Sequence, residues 1–325
     1  MEGNEILTME EPNTTNNSIN NYSVDVIIPT YHSDDKLNKL LKMLDSQTVK
    51  PGRVFILHTE ETPGQEQSLP EVENLNITVV PIEKASFDHG GTRKYGASLS
   101  DAEFLMFMTQ DAIPADEHLI EHLLAPYEDP WVSATYARQL ADEKTEFLER
   151  YIRSFNYPKK SMVKSLEDLD TMGIKTFFCS DVCATYRNIV YKKMGGFVDK
   201  TIFNEDMIMA AAMIRADYRV AYVAEAKVVH SHNYSYMQQF TRNFDLGVSH
   251  NQYVEVFYGI KSESEGIKMV KNAMKYLISK KKYFLIPDLI LSSGFKFLGY
   301  QVGKRYDILP KSWVISFSMN KSYWK

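Results

Sequence analysis

The sequence predicts an α/β fold: a mainly parallel, Rossmann-like sheet flanked by helices, followed by a mostly helical C-terminal extension. Short runs of β-branched and aromatic residues alternate with stretches of helical period up to about His230, the pattern of βα units wound into a parallel sheet. Phe104-Leu105-Met106-Phe107-Met108 is apolar at every position, as expected of a strand covered on both faces. Beyond Tyr236 the pattern turns helical, with aromatics interspersed.

Residues 1–22 are acidic and then rich in Asn, Thr and Ser. They offer too little apolar surface to offset the entropy of ordering, so a disordered segment is expected there. Order begins with Val24-Asp25-Val26-Ile27-Ile28-Pro29-Thr30, a first strand. Ser33 or Asp34 caps a helix whose Leu37, Leu40, Leu41 and Leu44 follow the 3.6-residue period. Val54–Leu57 and Ile77–Val80 read as the second and third strands, and a helix runs from about Gly91. After the apolar strand at 104–108 come a helix over His118–Leu124, a strand over Val132–Tyr136, and a charged, aromatic helix over Glu143–Phe155. Next are a strand over Thr176–Tyr186, a turn at Gly195-Gly196 and a helix over Asp206–Ala216. Two short strands, Arg219–Val223 and Lys227–His230, complete the pattern.

At 325 residues the chain can bury a substantial core. No apolar run approaches the ~20 residues of a membrane span, and the N-terminus lacks the basic start and apolar stretch of a secretory signal. Cys179 and Cys183 lie four apart. On a strand that is roughly 13 Å, beyond disulfide reach, so both read as buried thiols in a reducing, cytoplasmic setting.

Four separated signals carry chemistry. Pro29-Thr30-Tyr31 ends the first strand, where backbone and Thr30 either contact a nucleotide or simply turn the chain into a helix. His89-Gly90-Gly91-Thr92-Arg93 follows. There two glycines permit close backbone approach, a helix N-terminus favours anions, and Arg93 adds charge for phosphate oxygens. It is not a P-loop, because GxxxxGK followed by Ser or Thr is absent.

Thr109-Gln110-Asp111 comes third, at the carboxyl end of the apolar strand, where open parallel sheets bind ligands. No lysine or arginine lies within ten residues of Asp111. It is a ligand for a divalent cation carrying a diphosphate, or it caps a turn before a helix begun near Asp116. The fourth signal is Asn204-Glu205-Asp206, whose acids equally suit a helix start. His230 and His232, one residue apart at a strand end, are a metal or phosphate site.

DVIIPTY at 25–31, TQDA at 109–112 and GGFVDKTIFNEDMIMAAAMIRADYRVAYVAEAKVVHSH at 195–232 resemble the family 2 glycosyltransferases, nucleotide-sugar-dependent enzymes of the GT-A fold. FDHGGTR, and TQDA in place of the usual acidic triplet, are most similar to bacterial rhamnosyltransferases. The resemblance runs from about Val24 to His250, giving a glycosyltransferase domain over 23–250 and a basic, aromatic helical region over 251–325.

The resemblance implies an inverting transfer of a sugar, L-rhamnose from dTDP-β-L-rhamnose or a UDP-sugar in its place, in bacterial surface polysaccharide synthesis. The acceptor would be a saccharide, commonly one linked to polyprenyl diphosphate. A non-catalytic nucleotide-sugar binding subunit is the alternative, because Thr109 replaces the first acid of the DxD motif. Thr30 and His58–Glu60 would flank base and ribose, with Pro29, Tyr31, His89, Gly90, Gly91 and Gln110 around the donor. Arg93 would face the diphosphate. Asp111 would bind Mg²⁺ or Mn²⁺, completed by His230 or by His232. Asp206 would be the base, with Glu205 beside it as the other candidate.

The charge is uneven. Residues 261–325 hold 13 Lys/Arg against 4 Asp/Glu, while the whole chain carries −5. In this tail Lys280-Lys281-Lys282 precede Tyr283 and Phe284, and Phe295, Phe297, Tyr300, Trp313, Tyr323 and Trp324 follow. The pattern suits an interfacial helix on anionic lipid at the inner face of the cell membrane, or packing into the body or a homodimer interface. The acidic remainder argues against nucleic acid.

Overall fold

A computed structural model describes residues 22–62, 64, 72–258 and 263–324; the segment expected to be disordered lies, up to residue 21, outside the described residues. The chain opens with β1 (Val24–Thr30), α1 (Asp35–Asp45), β2 (Val54–Glu60), β3 (Ile77–Glu83), α2 (His89–Ser98) and β4 (Phe104–Met108). It continues through β5 (Ile113–Pro114), α3 (Leu119–Leu124), β6 (Val132–Leu140), α4 (Phe147–Asn156), β7 (Met162–Lys164), α5 (Leu169–Met172), β8 (Cys183–Arg187) and α6 (Asn188–Lys193). Then come α7 (Glu205–Arg215), β9 (Arg219–Val229), α8 (Tyr236–Gln252), α9 (Val254–Phe257), α10 (Glu263–Ser279), α11 (Ile286–Gly303) and α12 (Lys311–Phe317).

Among the described residues, nine strands join one sheet, ordered β3-β2-β1-β4-β8-β6-β9-β5 with β7 against β9. The first half, β3-β2-β1-β4, is parallel throughout. β8 then runs antiparallel between β4 and β6, and β6 and β9 resume a parallel pair. Between β1 and β4 the order of strands reverses, so the cleft beyond their carboxyl ends is the switch point where ligands bind in such sheets.

Both faces of β1 and β4 are covered, as their unbroken apolar runs require. On one side Leu37, Leu40, Leu41 and Leu44 of α1 pack with Val26, Ile28 and Met106. On the other, Ile27, Leu105 and Phe107 pack with Tyr186, Phe197, Met209 and Met213. Asp34, not Ser33, caps α1, accepting from the Lys36 N–H at 2.9 Å.

Three elements differ from the expectation. The strand expected over Thr176–Tyr186 begins only at Cys183, because Gly173–Phe177 forms a 3₁₀ turn and the loop after it carries Ser180 and Asp181. The charged helix starts at Phe147 rather than Glu143, because Asp142 accepts from the Lys144 N–H and the Thr145 hydroxyl in a turn. The two short strands near residue 225 are one long β9, whose register against β6 shifts between Ala137 and Arg138. Both cysteines are buried and free.

The C-terminal helices dock on the domain through α8 and α11. A Cβ at Gly299 would lie 2.2 Å from the Phe240 carbonyl oxygen, and one at Gly303 2.1 Å from that of Phe244. Only glycine admits so close a backbone approach. Tyr300 donates to or accepts from His250 Nδ1 at 2.8 Å across the same contact.

Candidate active site

At the switch point three side chains converge that are far apart in the sequence. Asp111, just past β4, places Oδ1 3.5 Å from His230 Nε2 and Oδ2 3.3 Å from His232 Nε2. The two imidazole nitrogens are 3.1 Å apart. Antiparallel pairing of β5 with β9 holds this geometry, with Ile113 opposite Val229. Lys36 Nζ, from the first turn of α1, lies 4.0 Å from Asp111 Oδ2.

These residues fit a cation. Their donor atoms all lie within 4.8 Å of one another, and they supply one anionic oxygen and two imidazole nitrogens. His230 Nδ1 lies 3.1 Å from Gln139 Oε1. An amide oxygen can only accept, so Nδ1 carries the proton and Nε2 keeps its lone pair toward Asp111, the orientation a metal ligand needs. Burial also pushes the His230 imidazole well below its ordinary value, keeping it neutral. Gln139 is itself anchored: Arg153 donates to its Oε1 at 2.6 Å, and its Nε2 donates to Tyr157 Oη at 2.6 Å and Ser180 Oγ at 3.0 Å.

Ser180 leads to the second cluster. The next residue, Asp181, donates its N–H to Asp206 Oδ2 at 3.1 Å, and Met207 N–H donates to Oδ1 at 2.7 Å. Asn204 ahead of α7 has φ +67°, a left-handed turn that asparagine tolerates. Its Nδ2 donates to Ser249 Oγ of α8 at 3.2 Å. Here the two adjacent acids part. Glu205 is buried and paired with Arg93 Nη1 at 3.1 Å, whereas Asp206 is half-buried and holds backbone N–H groups. Burial, then the Glu205 charge, pushes the Asp206 carboxyl up to about 7, against its two N–H donors and Arg93. Asp181 is 2% exposed; burial, then the Asp206 charge, pushes it well above the aspartate range, and Tyr186 Oη donates to its Oδ1 at 2.7 Å.

Arg93 has carboxylate partners within the protein. Besides Glu205, its Nε lies 3.8 Å from Asp181 Oδ2, and its side chain is 6% exposed. The α2 N-terminus is likewise answered internally: Asp88 caps it, accepting from Gly91 N–H at 2.8 Å. Gly90 and Gly91 serve that packing. A Cβ on Gly90 would sit 2.0 Å from the Val198 carbonyl oxygen, and one on Gly91 2.5 Å from Asp88 Oδ2. His89 Nδ1 stands 4.0 Å from Glu205 Oε1.

At the carboxyl ends of β1 and β2, Thr30 Oγ1 lies 3.1 Å from His58 Nδ1. Gln110 spends its amide on Tyr31: Tyr31 N–H donates to Oε1 at 2.8 Å, and Nε2 donates to the Tyr31 carbonyl at 3.0 Å. This ties the β1 and β4 ends together and leaves Asp111 facing the histidines. The Tyr31 hydroxyl donates to Glu61, and Lys84 Nζ donates to both. Glu60 Oε2 accepts from Gly64 N–H at 2.9 Å, and Pro29 lies within β1 opposite Leu57.

Lys36, Gln139, Ser180 and Asp181 escaped the sequence reading. Gln139 was recoverable, since it lies at the carboxyl end of β6, where the strand outlasts its apolar run. Asp181 is a lone acid in FFCSDVCATY; only the fold shows that its N–H meets Asp206.

The mixed sheet, with a cleft at its switch point, a cation-fitting triad and two acids at the start of α7, is the arrangement of a GT-A glycosyltransferase domain. The glycosyl transferase family 2 model matches residues 25–195, and the chain belongs to that family. It is similar to the O-antigen chain rhamnosyltransferase RfbN of Salmonella typhimurium, with 40% identity over 305 residues, 93% of this chain and 96% of the relative. It is 39% identical over 306 residues to the O-antigen chain rhamnosyltransferase WbaN of Salmonella anatum, covering 93% and 96%. In structure it matches the mannosyltransferase PcManGT of Pyrobaculum calidifontis, solved with GDP-Man and Mn²⁺. The TM-score is 0.57 and the identity 12%, over 89% of this chain and 88% of that one, a likeness of fold.

Proposed function

We propose that this glycosyltransferase moves L-rhamnose from dTDP-β-L-rhamnose to a saccharide acceptor during O-antigen synthesis, with inversion at the anomeric carbon, so that the product is an α-rhamnoside. The resemblance to two O-antigen rhamnosyltransferases over most of the chain supports the donor sugar and the pathway. A lipid-linked acceptor and a membrane contact through residues 261–325 belong to the same reading.

The observation that carries the chemistry is the division of labour at the switch point. Asp111, His230 and His232 would hold Mg²⁺ or Mn²⁺. The ion would neutralise the diphosphate and make the nucleotide a leaving group. Asp206, linked to His230 through Asp181, Ser180 and Gln139, takes the proton of the acceptor hydroxyl. Backbone N–H groups fix both of its oxygens, and its raised proton affinity suits a base working near neutral pH. Glu205, held by Arg93, keeps the α7 terminus in place. One base facing one leaving group makes a single displacement, hence inversion. Thr30 and the β2 end, His58–Glu60, would flank the base and ribose.

Donor turnover tests this reading. Wild-type protein should release dTDP from dTDP-β-L-rhamnose, slowly with water and faster with a saccharide acceptor. Asp206→Asn should lower that rate by about 10²–10⁴-fold while dTDP binding persists. Nucleotide binding with no turnover of any dTDP- or UDP-sugar would favour the binding-subunit alternative.

A further inference from the structure

We infer that the outer face of α11 is a membrane-binding surface that lies flat on anionic lipid. Helix α11 has 18 residues, Ile286–Gly303, about 27 Å of helix. Its inner face packs on α8 through Gly299 and Gly303. At 100° per residue, Pro287, Ile290, Leu291, Gly294, Phe297 and Leu298 share the opposite face. Ile290, Leu291, Phe297 and Leu298 are each 49–56% exposed. The two charged residues of the helix, Asp288 and Lys296, fall off this stripe, and Asp288 accepts from Tyr236 Oη at 2.6 Å on the body side.

The structure also sorts the tail aromatics that the sequence left in two minds. Phe295 stacks on Tyr236, Tyr300 meets His250, and Tyr323 donates to the Lys200 carbonyl; these pack inward. Tyr283, Phe284, Ile308 and Trp313, from the segments on either side of α11, stay exposed.

Charge chooses the occupant. Lys280, Lys281 and Lys282 stand at one end of the stripe, and Lys304, Arg305 and Lys311 at the other. Asp307 is the sole acid within 280–287 and 299–311. Lys282 Nζ lies 5.5 Å from the ring of exposed Phe284, so cation and apolar anchor share one surface. An apolar strip bounded by cations matches acyl chains below a layer of anionic headgroups. No helix of the described residues is long and apolar enough to cross a membrane, so the helix lies on the bilayer. α8, on which α11 rests, begins four residues after His232. α8 thus joins the candidate metal residues to the membrane-facing layer, a path along which a lipid-carried acceptor would be presented. This last step rests on the proposed transfer reaction; the binding does not.

The test is flotation of the full-length protein with vesicles of phosphatidylcholine alone and with added phosphatidylglycerol. Wild type should float with the anionic vesicles and lose binding as salt rises. Leu291→Ser with Phe297→Ser, and separately Lys280→Glu with Lys281→Glu, should each weaken partition by about tenfold or more. Both variants should melt and hydrolyse donor as wild type does. Wild type that fails to float with anionic vesicles would overturn the inference, as would a Ser variant that floats like wild type. A dimer of wild type that falls to monomer in the Ser variant, with no vesicle binding, would assign the face to a second copy instead. Vesicle binding without sugar transfer would fail the catalytic proposal and leave this one standing.

Discussion

Replacing Arg93 by Met separates two roles for this residue. A guanidinium facing the donor diphosphate predicts lost nucleotide affinity with little change in stability. The observed partners predict the reverse. Arg93 and Glu205 are 6% and 7% exposed, with Nη1 to Oε1 at 3.1 Å, and Asp181 Oδ2 lies 3.8 Å from Nε. At an effective dielectric of about 20 the closer contact represents about 5 kcal/mol of Coulomb attraction, offset largely by desolvation. Removing the cation leaves the buried Glu205 carboxylate unanswered, so Arg93→Met should cost about 3–5 kcal/mol. Lys should not rescue it, since an ammonium lacks the fork that addresses two carboxylates at once. Arg93→Met with Glu205→Met should recover most of the loss, because two apolar side chains of similar volume replace a buried pair at little cost. Urea unfolding followed by tryptophan fluorescence gives the stabilities, and calorimetric titration with dTDP gives the affinity. Arg93→Met within about 1 kcal/mol of wild type, with dTDP binding abolished, would refute this account and return Arg93 to the diphosphate.

Three further outcomes follow from the same geometry. A base is active only when deprotonated, and Asp206 is pushed up to about 7; kcat should therefore fall as pH drops through the neutral range, not near the ordinary aspartate value. A flat kcat profile down to acidic pH, measured by dTDP release, would exclude Asp206 as the base. Gln139→Leu removes the acceptor that orients His230 and should weaken Mn²⁺ binding by about 10–100-fold, read by paramagnetic resonance of free Mn²⁺. Gly303→Ala forces a Cβ to within 2.1 Å of the Phe244 carbonyl oxygen and should cost about 1–3 kcal/mol in unfolding, because α11 must lift from α8.

Much of the fold was legible because its signals are local. The leucine period of α1, the apolar run of β4 and the turn residues at Gly195 and Gly196 follow from neighbours in sequence, and they agree with the coordinates to within a few residues. Where the reading slipped, a tertiary contact overrode the pattern. Thr176–Tyr186 reads as one strand, yet its first half turns away to carry Ser180 and Asp181 between the candidate metal residues and Asp206.

By itself the sequence determined which residue types could do chemistry and in what order they come: Asp111, the Glu205-Asp206 pair, His230 and His232. Only the tertiary structure decided how they divide the work. Glu205 goes to Arg93 and Asp206 to backbone N–H groups; Gln110 goes to Tyr31; Phe297 faces out while Phe295 faces in. The physical reason is range. Periodicity and turn chemistry act over a few residues, whereas pairing and burial are settled by contacts across a sheet and between helices more than a hundred residues apart along the chain, as Arg93 and Glu205 are.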